Sequence, residues 1–233
     1  MSLRHTSGRL QFNAAYTYSK SLDESSNIGE EVNPFNPALS YALSAFDVKH
    51  NFVVSYDYQL PFDKLFRPTR LTREWSVSGI TRFATGFPVT MSNNGDNSFT
   101  GTNPNGVNNS DIDEPDYSGG PLQLNHNPRT GAHNYFNTGE FTMNQPGEPG
   151  TAKRRFFYGP GADNYDMAIQ KNLSFAEARS LLFRLEAFNI FNHGQFNGPT
   201  TVDGNYSDIG STFGKVIGAT SPRILQGALK LNF

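Results

Sequence analysis

The amino-acid sequence predicts an all-β fold: an antiparallel transmembrane β-barrel segment of about six strands, with long loops at one end and short turns at the other. Three observations lead there. Stretches along the chain alternate apolar with polar residues at period two, the pattern of strands that show one side to an apolar phase. The connections between them alternate long and short, which sorts the loops by end. The composition is aromatic but poor in aliphatics, with 20 Phe and 10 Tyr in 233 residues and 36% hydrophobic residues overall. That profile fits half-apolar strands joined by turn-rich connections. No run of about 18 apolar residues is present to form a transmembrane helix.

The elements follow in order. Leu10, Phe12, Ala14, Tyr16 and Tyr18 alternate with Gln11, Asn13, Ala15, Thr17 and Ser19, close to the length that crosses a bilayer as a tilted strand. The second stretch, 46–60, sets Phe46, Val48, His50, Phe52, Val54, Tyr56, Tyr58 and Leu60 against Asp47, Lys49, Asn51, Val53, Ser55, Asp57 and Gln59. The third, 75–91, sets Trp75, Val77, Gly79, Thr81, Phe83, Thr85, Phe87 and Val89 against Ser76, Ser78, Ile80, Arg82 and Ala84. In the fourth, Tyr165, Met167, Ile169, Leu173 and Phe175 oppose Asn164, Asp166, Gln170, Asn172 and Ser174. In the fifth, 181–192, Phe183, Leu185 and Ala187 oppose Arg184 and Glu186. Its alternation fails over Phe188-Asn189-Ile190-Phe191, where a bulge or the end of the apolar band is expected. A helix competes over 175–191, since Ala, Glu, Arg and Leu are good helix formers, but the charges fall at even spacing. The last stretch sets Leu225, Gly227, Leu229, Leu231 and Phe233 against Gln226, Ala228, Lys230 and Asn232.

Residues 61–73 and 176–178 make short connections, and 21–45, 92–161 and 193–222 make long ones. Transmembrane barrels carry short periplasmic turns and long extracellular loops. An even number of strands then puts both chain ends on the periplasmic side. About six strands fall short of the eight in the smallest closed bacterial barrel. An open edge in lipid leaves backbone polar groups unpaired at several kcal/mol each, so further strands are expected to complete the sheet. The N-terminal Met-Ser-Leu-Arg-His-Thr carries no signal peptide. Residues 1–233 are therefore expected to be the C-terminal portion of a longer barrel, without a plug domain.

Several segments resemble the barrel of Oar-like TonB-dependent transporters. Leu10 to Ser21, ending in Tyr-Thr-Tyr-Ser-Lys-Ser, resembles one of their strands; so does Phe46-Asp-Val-Lys-His-Asn-Phe-Val-Val-Ser-Tyr with Leu60-Pro61-Phe62. Trp75-Ser-Val-Ser-Gly-Ile, Thr85-Gly-Phe-Pro-Val-Thr and Gly159-Pro-Gly-Ala-Asp-Asn-Tyr-Asp are similar to further motifs of that family. Arg184-Leu-Glu-Ala-Phe-Asn-Ile-Phe-Asn-His, Ser221-Pro-Arg and Leu229-Lys-Leu-Asn-Phe complete the series in family order. The resemblance implies a full barrel of about twenty-two strands with an N-terminal plug, taking up a large or scarce substrate with energy passed by TonB through that plug. Phe233, with Leu231, Leu229 and Leu225 at alternating positions, has the form that barrel-assembly machinery reads, with Gly227 its weak position. Outer-membrane lipid and lipopolysaccharide are the other expected partners.

No residue pattern points to catalysis or to a cofactor. A net charge of -2 gives no strong field for nucleic acid. The absence of cysteine removes disulfides and thiolate metal sites. His5, His50, His126, His133 and His193 lack metal-ligand spacing, and structural or interfacial roles are expected of them. Asp111, Asp113, Glu114 and Asp116 offer oxygen ligands for calcium but lack the EF-hand spacing, so a solvated loop is the plainer reading. Gly159-Pro160-Gly161 lacks the Lys-Ser/Thr of a phosphate loop and reads as a turn. Lys153-Arg154-Arg155 reads as a solvated basic run, with lipopolysaccharide phosphate as the sharper alternative. No Gly-x-Ser-x-Gly elbow occurs, and Asp23-Glu24 and Glu30-Glu31 have no implied apolar pocket to tune them. A polar lining is expected of Gln11, Asn13, Lys49, Asn51, Asp57, Arg82, Gln170, Arg184, Glu186 and Lys230. Two rivals remain at this point: a secreted or surface β-sandwich that stacks glycans on its aromatics, and a small passive porin.

Overall fold

The computed structural model describes residues 1–27, 30, 36–93, 95–99, 113–125, 127–128, 134–176 and 179–233. The strands are β1 (Ser2–His5), β2 (Leu10–Tyr18), β3 (Leu22–Asp23), β4 (Ala42–Leu43), β5 (His50–Gln59), β6 (Trp75–Ala84), β7 (Asp116–Tyr117), β8 (Phe141–Thr142), β9 (Ala162–Ala176), β10 (Arg179–Phe188) and β11 (Ile224–Asn232). One short helix, α1 (Phe62–Leu65), sits between β5 and β6. Among the described residues no helix is long and apolar enough to cross a membrane.

Seven strands form one sheet in the order β1-β2-β5-β6-β9-β10-β11. Every neighbouring pair is antiparallel. The sheet does not close on itself, since β1 and β11 each have one neighbour. The small pairs β3–β4 and β7–β8 lie within the long connections.

The sheet therefore has one strand more than the alternation predicted. The addition is β1, whose Arg4 and His5 give it no clean apolar side. It is fixed by pairing with β2, from Ser2 opposite Ala15 to His5 opposite Phe12. An odd strand count also corrects the placement of the ends. Met1 lies beside Tyr16, whose carbonyl accepts its amino group at 2.9 Å, toward the long-loop end. Phe233 follows β11 at the short-turn end, so the two ends lie on opposite sides. Connections 6–9, 60–74 and 177–178 are short, and 19–49, 85–161 and 189–223 are long, so the sorting of loops holds with the added strand.

Three strand boundaries differ from the sequence pattern. β5 starts at His50, not Phe46, because Asp47 is buried as an acceptor for Ser21 N (2.8 Å) and Tyr158 Oη (2.6 Å). β6 stops at Ala84, where Gly86 meets the backbone of Gly159 and Pro160. β10 spans the segment where a helix competed and ends at Phe188, because Asn189 and Asn192 take positive φ of 52° and 53°. A register shift occurs instead at Arg179/Ser180.

The cross-strand register sorts the side chains. Phe12, Tyr56, Gly79 and Met167 are consecutive partners across four strands, and so are Asn13, Ser55, Ile80 and Asp166. Because successive residues point to opposite faces, Leu3, Phe12, Tyr16, Phe52, Val54, Tyr58, Val77, Phe83, Tyr165, Met167, Ile169, Phe183, Leu185 and Leu229 share one face. Gly79 makes room there, since a Cβ on it would lie 2.6 Å from Tyr56 Oη. The other face is predominantly polar.

The buried apolar core is not under the sheet. It lies in the long connections, where Val89, Met91, Tyr135, Phe136, Phe141, Ala152, Phe157, Val202 and Phe213 pack together. Phe136 is its centre, with edge-on contacts to Phe141, Phe157 and Phe213 at ring separations of 5.3–5.4 Å. Such pairs add about 0.5–1.5 kcal/mol each beyond burial.

Candidate functional site

Two surfaces stand out: the polar face of the sheet, and the loop layer above its end. On the polar face the register gathers Gln11, Asn13, Asn51, Asp57, Arg82, Gln170, Arg184, Glu186 and Lys230. Lys49 precedes β5 and is not part of the strand array. The array is hydrogen-bonded across strands. Arg82 Nε donates to Asn51 Oδ1 at 3.0 Å, and Gln170 Nε2 donates to Ser76 Oγ directly opposite at 2.8 Å. Arg184 pairs with Glu186 along β10 at 2.7 Å. Cations and carboxylates are interspersed, so this wall favours water and polar solutes over one sign of charge.

The loop layer is tied together by two buried polar hubs. In the first, Arg154 donates through Nε to Ser40 O (2.9 Å), through Nη1 to Glu30 Oε2 (2.6 Å) and through Nη2 to Asp23 Oδ1 (3.0 Å). Arg155 donates through Nε to Thr90 Oγ1 (2.8 Å) and through Nη2 to Glu30 Oε1 (2.8 Å). Both arginines are 3% exposed. This corrects the reading of 153–155 as a solvated or lipopolysaccharide-touching basic run. Only Lys153 of the three is exposed, and the arginines clamp connection 85–161 to connection 19–49. Burial alone would push Glu30 and Asp23 up, but the arginine hydrogen bonds and charges outweigh it for Glu30, as Ser26, Ser44 and Arg154 do for Asp23, and hold both below the usual range. Glu31 lies outside the described residues.

In the second hub Asp113 accepts from Ser98 N (2.9 Å), Ser98 Oγ (2.5 Å) and Asn144 Nδ2 (3.2 Å). Asn93 donates to Asn144 Oδ1 at 3.0 Å and accepts from Ser207 Oγ at 2.8 Å, which joins connection 189–223 to the layer. Two of the carboxylates expected in a solvated loop are thus interior, Asp113 at 1% and Glu114 at 3% exposed, while Asp116 is half-buried. Burial, with the Asp113 charge adding, pushes the Glu114 carboxyl up to about 9 against the pull of Arg154 and Arg155. It is held protonated at neutral pH. Asp111 lies outside the described residues. Among the described residues no group of three or more His, Cys, Asp and Glu is placed to hold a metal ion.

The histidines separate. His5 stacks on Phe12, and His50 Nδ1 lies 2.8 Å from Tyr16 Oη. His193 Nδ1 lies 3.1 Å from Asp163 Oδ2, beside Gln195, which donates to Asp163 O and Oδ1. His126 and His133 lie outside the described residues. A cavity of about 470 Å³ opens where the loop layer meets β6 and β9, between Thr85, Gly86, Tyr135, Tyr158, Asp163 and Phe196. Burial pushes the Tyr135 hydroxyl up to about 12. For Tyr158, burial and its hydrogen bond to Asp47 act together to raise it further.

A family model for an outer membrane beta barrel domain matches this chain over residues 1–226. The chain belongs to that family. Searches of curated proteins and of solved structures returned no match. As an outer membrane beta barrel domain it resides in the outer membrane of a Gram-negative bacterium, which assigns the apolar face to lipid and the polar face to the lumen. Tyr16, Tyr18, His50, Phe52, Phe83 and Tyr165 cluster toward the loop end of the sheet, and Tyr58, Trp75 and Phe62 toward the turn end, the two places where a barrel carries its aromatic girdles. Leu225, Leu229 and Leu231 lie on the lipid face of β11, each more than half exposed, with Phe233 just beyond at 94%.

Sequence reasoning missed Arg154, Arg155, Asp47, Asn93 and Asn144 as organising residues. Their partners lie far away in the chain, and a single sequence holds no signal for such pairings.

Proposed function

We propose that this barrel domain is a wall segment of a TonB-dependent outer-membrane transporter. Its polar face lines the conduit, and its loop layer forms part of the outer vestibule where substrate first binds. The observation that supports this reading best is the loop layer itself. A passive pore needs little more than a polar lining, whereas here connections 85–161 and 189–223 share one aromatic core, and two buried polar hubs tie 19–49 and 189–223 to 85–161. That construction suits a shaped binding surface. The order of the motifs along the chain, from Tyr16-Thr-Tyr-Ser-Lys-Ser to Leu229-Lys-Leu-Asn-Phe, points to Oar-like members of that class. Leu225, Leu229, Leu231 and Phe233 would serve recognition by the barrel-assembly machinery, TonB would act only through a plug, and the chain itself would carry no catalysis.

The test is genetic. In the source bacterium, the gene is disrupted in one strain and the TonB energy-coupling protein in another, and growth is compared on large or scarce nutrients. Loss of the same nutrients in both strains supports energised transport. Loss in the first strain alone moves the reading to a passive porin. Among the described residues seven strands lie in one sheet and the other two sheets hold two strands each, an arrangement that does not favour a glycan-binding sandwich.

A further inference from the structure

The short connection 60–74 has more structure and more charge than a turn needs. It carries Lys64, Arg67, Arg70 and Arg73, all exposed. Its acids are otherwise engaged: Asp63 pairs with Arg9 at 3.0 Å, and Glu74 accepts from Asn172 at 2.8 Å. Among the described residues no carboxylate lies at ion-pair distance from Lys64, Arg67, Arg70 or Arg73. Interleaved with these cations are Leu65, Phe66 and Leu71, exposed at 69%, 62% and 72%. The apolar side chains are continuous with the lipid face, because Phe62 packs edge-on against both Phe66 and Trp75 at 6.2 Å. Trp75 Nε1 in turn donates to Leu71 O at 2.7 Å, which fixes the turn against the strand.

From this we infer that connection 60–74 is an interfacial clamp for anionic phospholipid headgroups. Leu65, Phe66 and Leu71 enter the acyl boundary beside Trp75, and Lys64, Arg67 and Arg70 meet the phosphates. Apolar side chains beside basic ones at the rim of a lipid-facing surface have that complementarity. The inference needs the outer-membrane location but not the transport reading, and goes beyond it.

Trp75 is the single tryptophan of the chain and reports on this site directly. The protein is reconstituted in phosphatidylcholine vesicles containing phosphatidylglycerol, with bromine on the acyl chains of one lipid or the other. At low salt, brominated phosphatidylglycerol is expected to quench Trp75 at least about twofold more per molecule than brominated phosphatidylcholine. The preference should collapse in a Lys64→Gln/Arg67→Gln/Arg70→Gln variant. It should also collapse for the unaltered protein in roughly 0.5 M salt, where surface charges are screened; that arm needs no variant to fold. Equal quenching by the two lipids at low salt would overturn the inference. So would a preference that survives both neutralisation and salt, or a Trp75 that neither lipid quenches.

Discussion

Arg154 and Glu30, 124 positions apart in the chain, meet at 2.6 Å inside the loop layer. This contact, with its neighbours Arg155 and Asp23, ties connection 19–49 to connection 85–161 above the sheet. Breaking one partner of a buried pair leaves the other charge uncompensated, which costs more than the pair contributes. Arg154→Ala should therefore loosen the loop layer by roughly 3 kcal/mol while leaving the barrel strands assembled. Limited proteolysis of the folded protein in detergent measures this. Cleavage within 19–49 should accelerate strongly, with heat-modifiable gel migration retained. Unchanged cleavage would show that the clamp is dispensable.

The pH dependence of that layer has a definite sign. The folded-state value of Glu114, about 9, lies above its ordinary value of 4.5. Its contribution is fully present below about 4.5 and is lost as pH rises toward 9. Asp23 and Glu30 are held low in the fold, so their contribution is present above the ordinary carboxylate range and is lost as pH falls below it. The layer should be most protease-resistant at mildly acid pH and weaken steadily toward pH 9. Glu114→Gln should flatten the alkaline decline while leaving the acid one. A parallel decline in both proteins would assign it to another group.

Gly86 ends β6 where the chain leaves the sheet. A Cβ there would lie 2.2 Å from the Gly159 carbonyl oxygen and 2.3 Å from that of Pro160. Backbone on both sides cannot move aside cheaply, so Gly86→Ala should cost roughly 1–3 kcal/mol. Gly8 is a useful comparison for space, because nothing lies within 4 Å of a Cβ on it. Its φ of +68° leaves only backbone strain, so Gly8→Asn should be tolerated. Urea midpoints of the refolded proteins would rank the two.

On the lumen wall the pair Arg184–Glu186 is partly exposed, 40% and 19% at the two side chains. Partly exposed pairs contribute little. Glu186→Gln should shift unfolding by less than about 1 kcal/mol. A shift of several kcal/mol would mean that the polar face is dry and that the lumen assignment fails.

The strand array was legible in the sequence because period-two alternation is a local property. Phe52, Val54, Tyr56 and Tyr58 reveal their shared face without reference to any neighbour. β1 was not legible, since Ser2–His5 is four residues long with Arg4 and His5 inside it, and its position is set by β2. The loop layer was also invisible. Phe136, Phe141, Phe157 and Phe213 fall at irregular spacing in Gly- and Asn-rich sequence. Arg154 and Arg155 look like a surface run until Asp23, Glu30 and Ser40 are brought to them. The same holds for Asp113 and Glu114, whose burial depends on Ser98, Asn144 and the folding of the whole connection.

The sorting of the sheet into a lipid face and a lumen face is tested most directly along β5. The chain has no cysteine, so single cysteines at 51–58 report without background. With the protein in vesicles, a membrane-impermeant maleimide should label cysteines at Asn51, Val53, Ser55 and Asp57. Spin labels at Phe52, Val54, Tyr56 and Tyr58 should instead be reached by oxygen from the bilayer. Two interleaved sets of period two confirm the two-faced wall. Uniform labelling along 51–58, or labelling confined to the even positions, would contradict it.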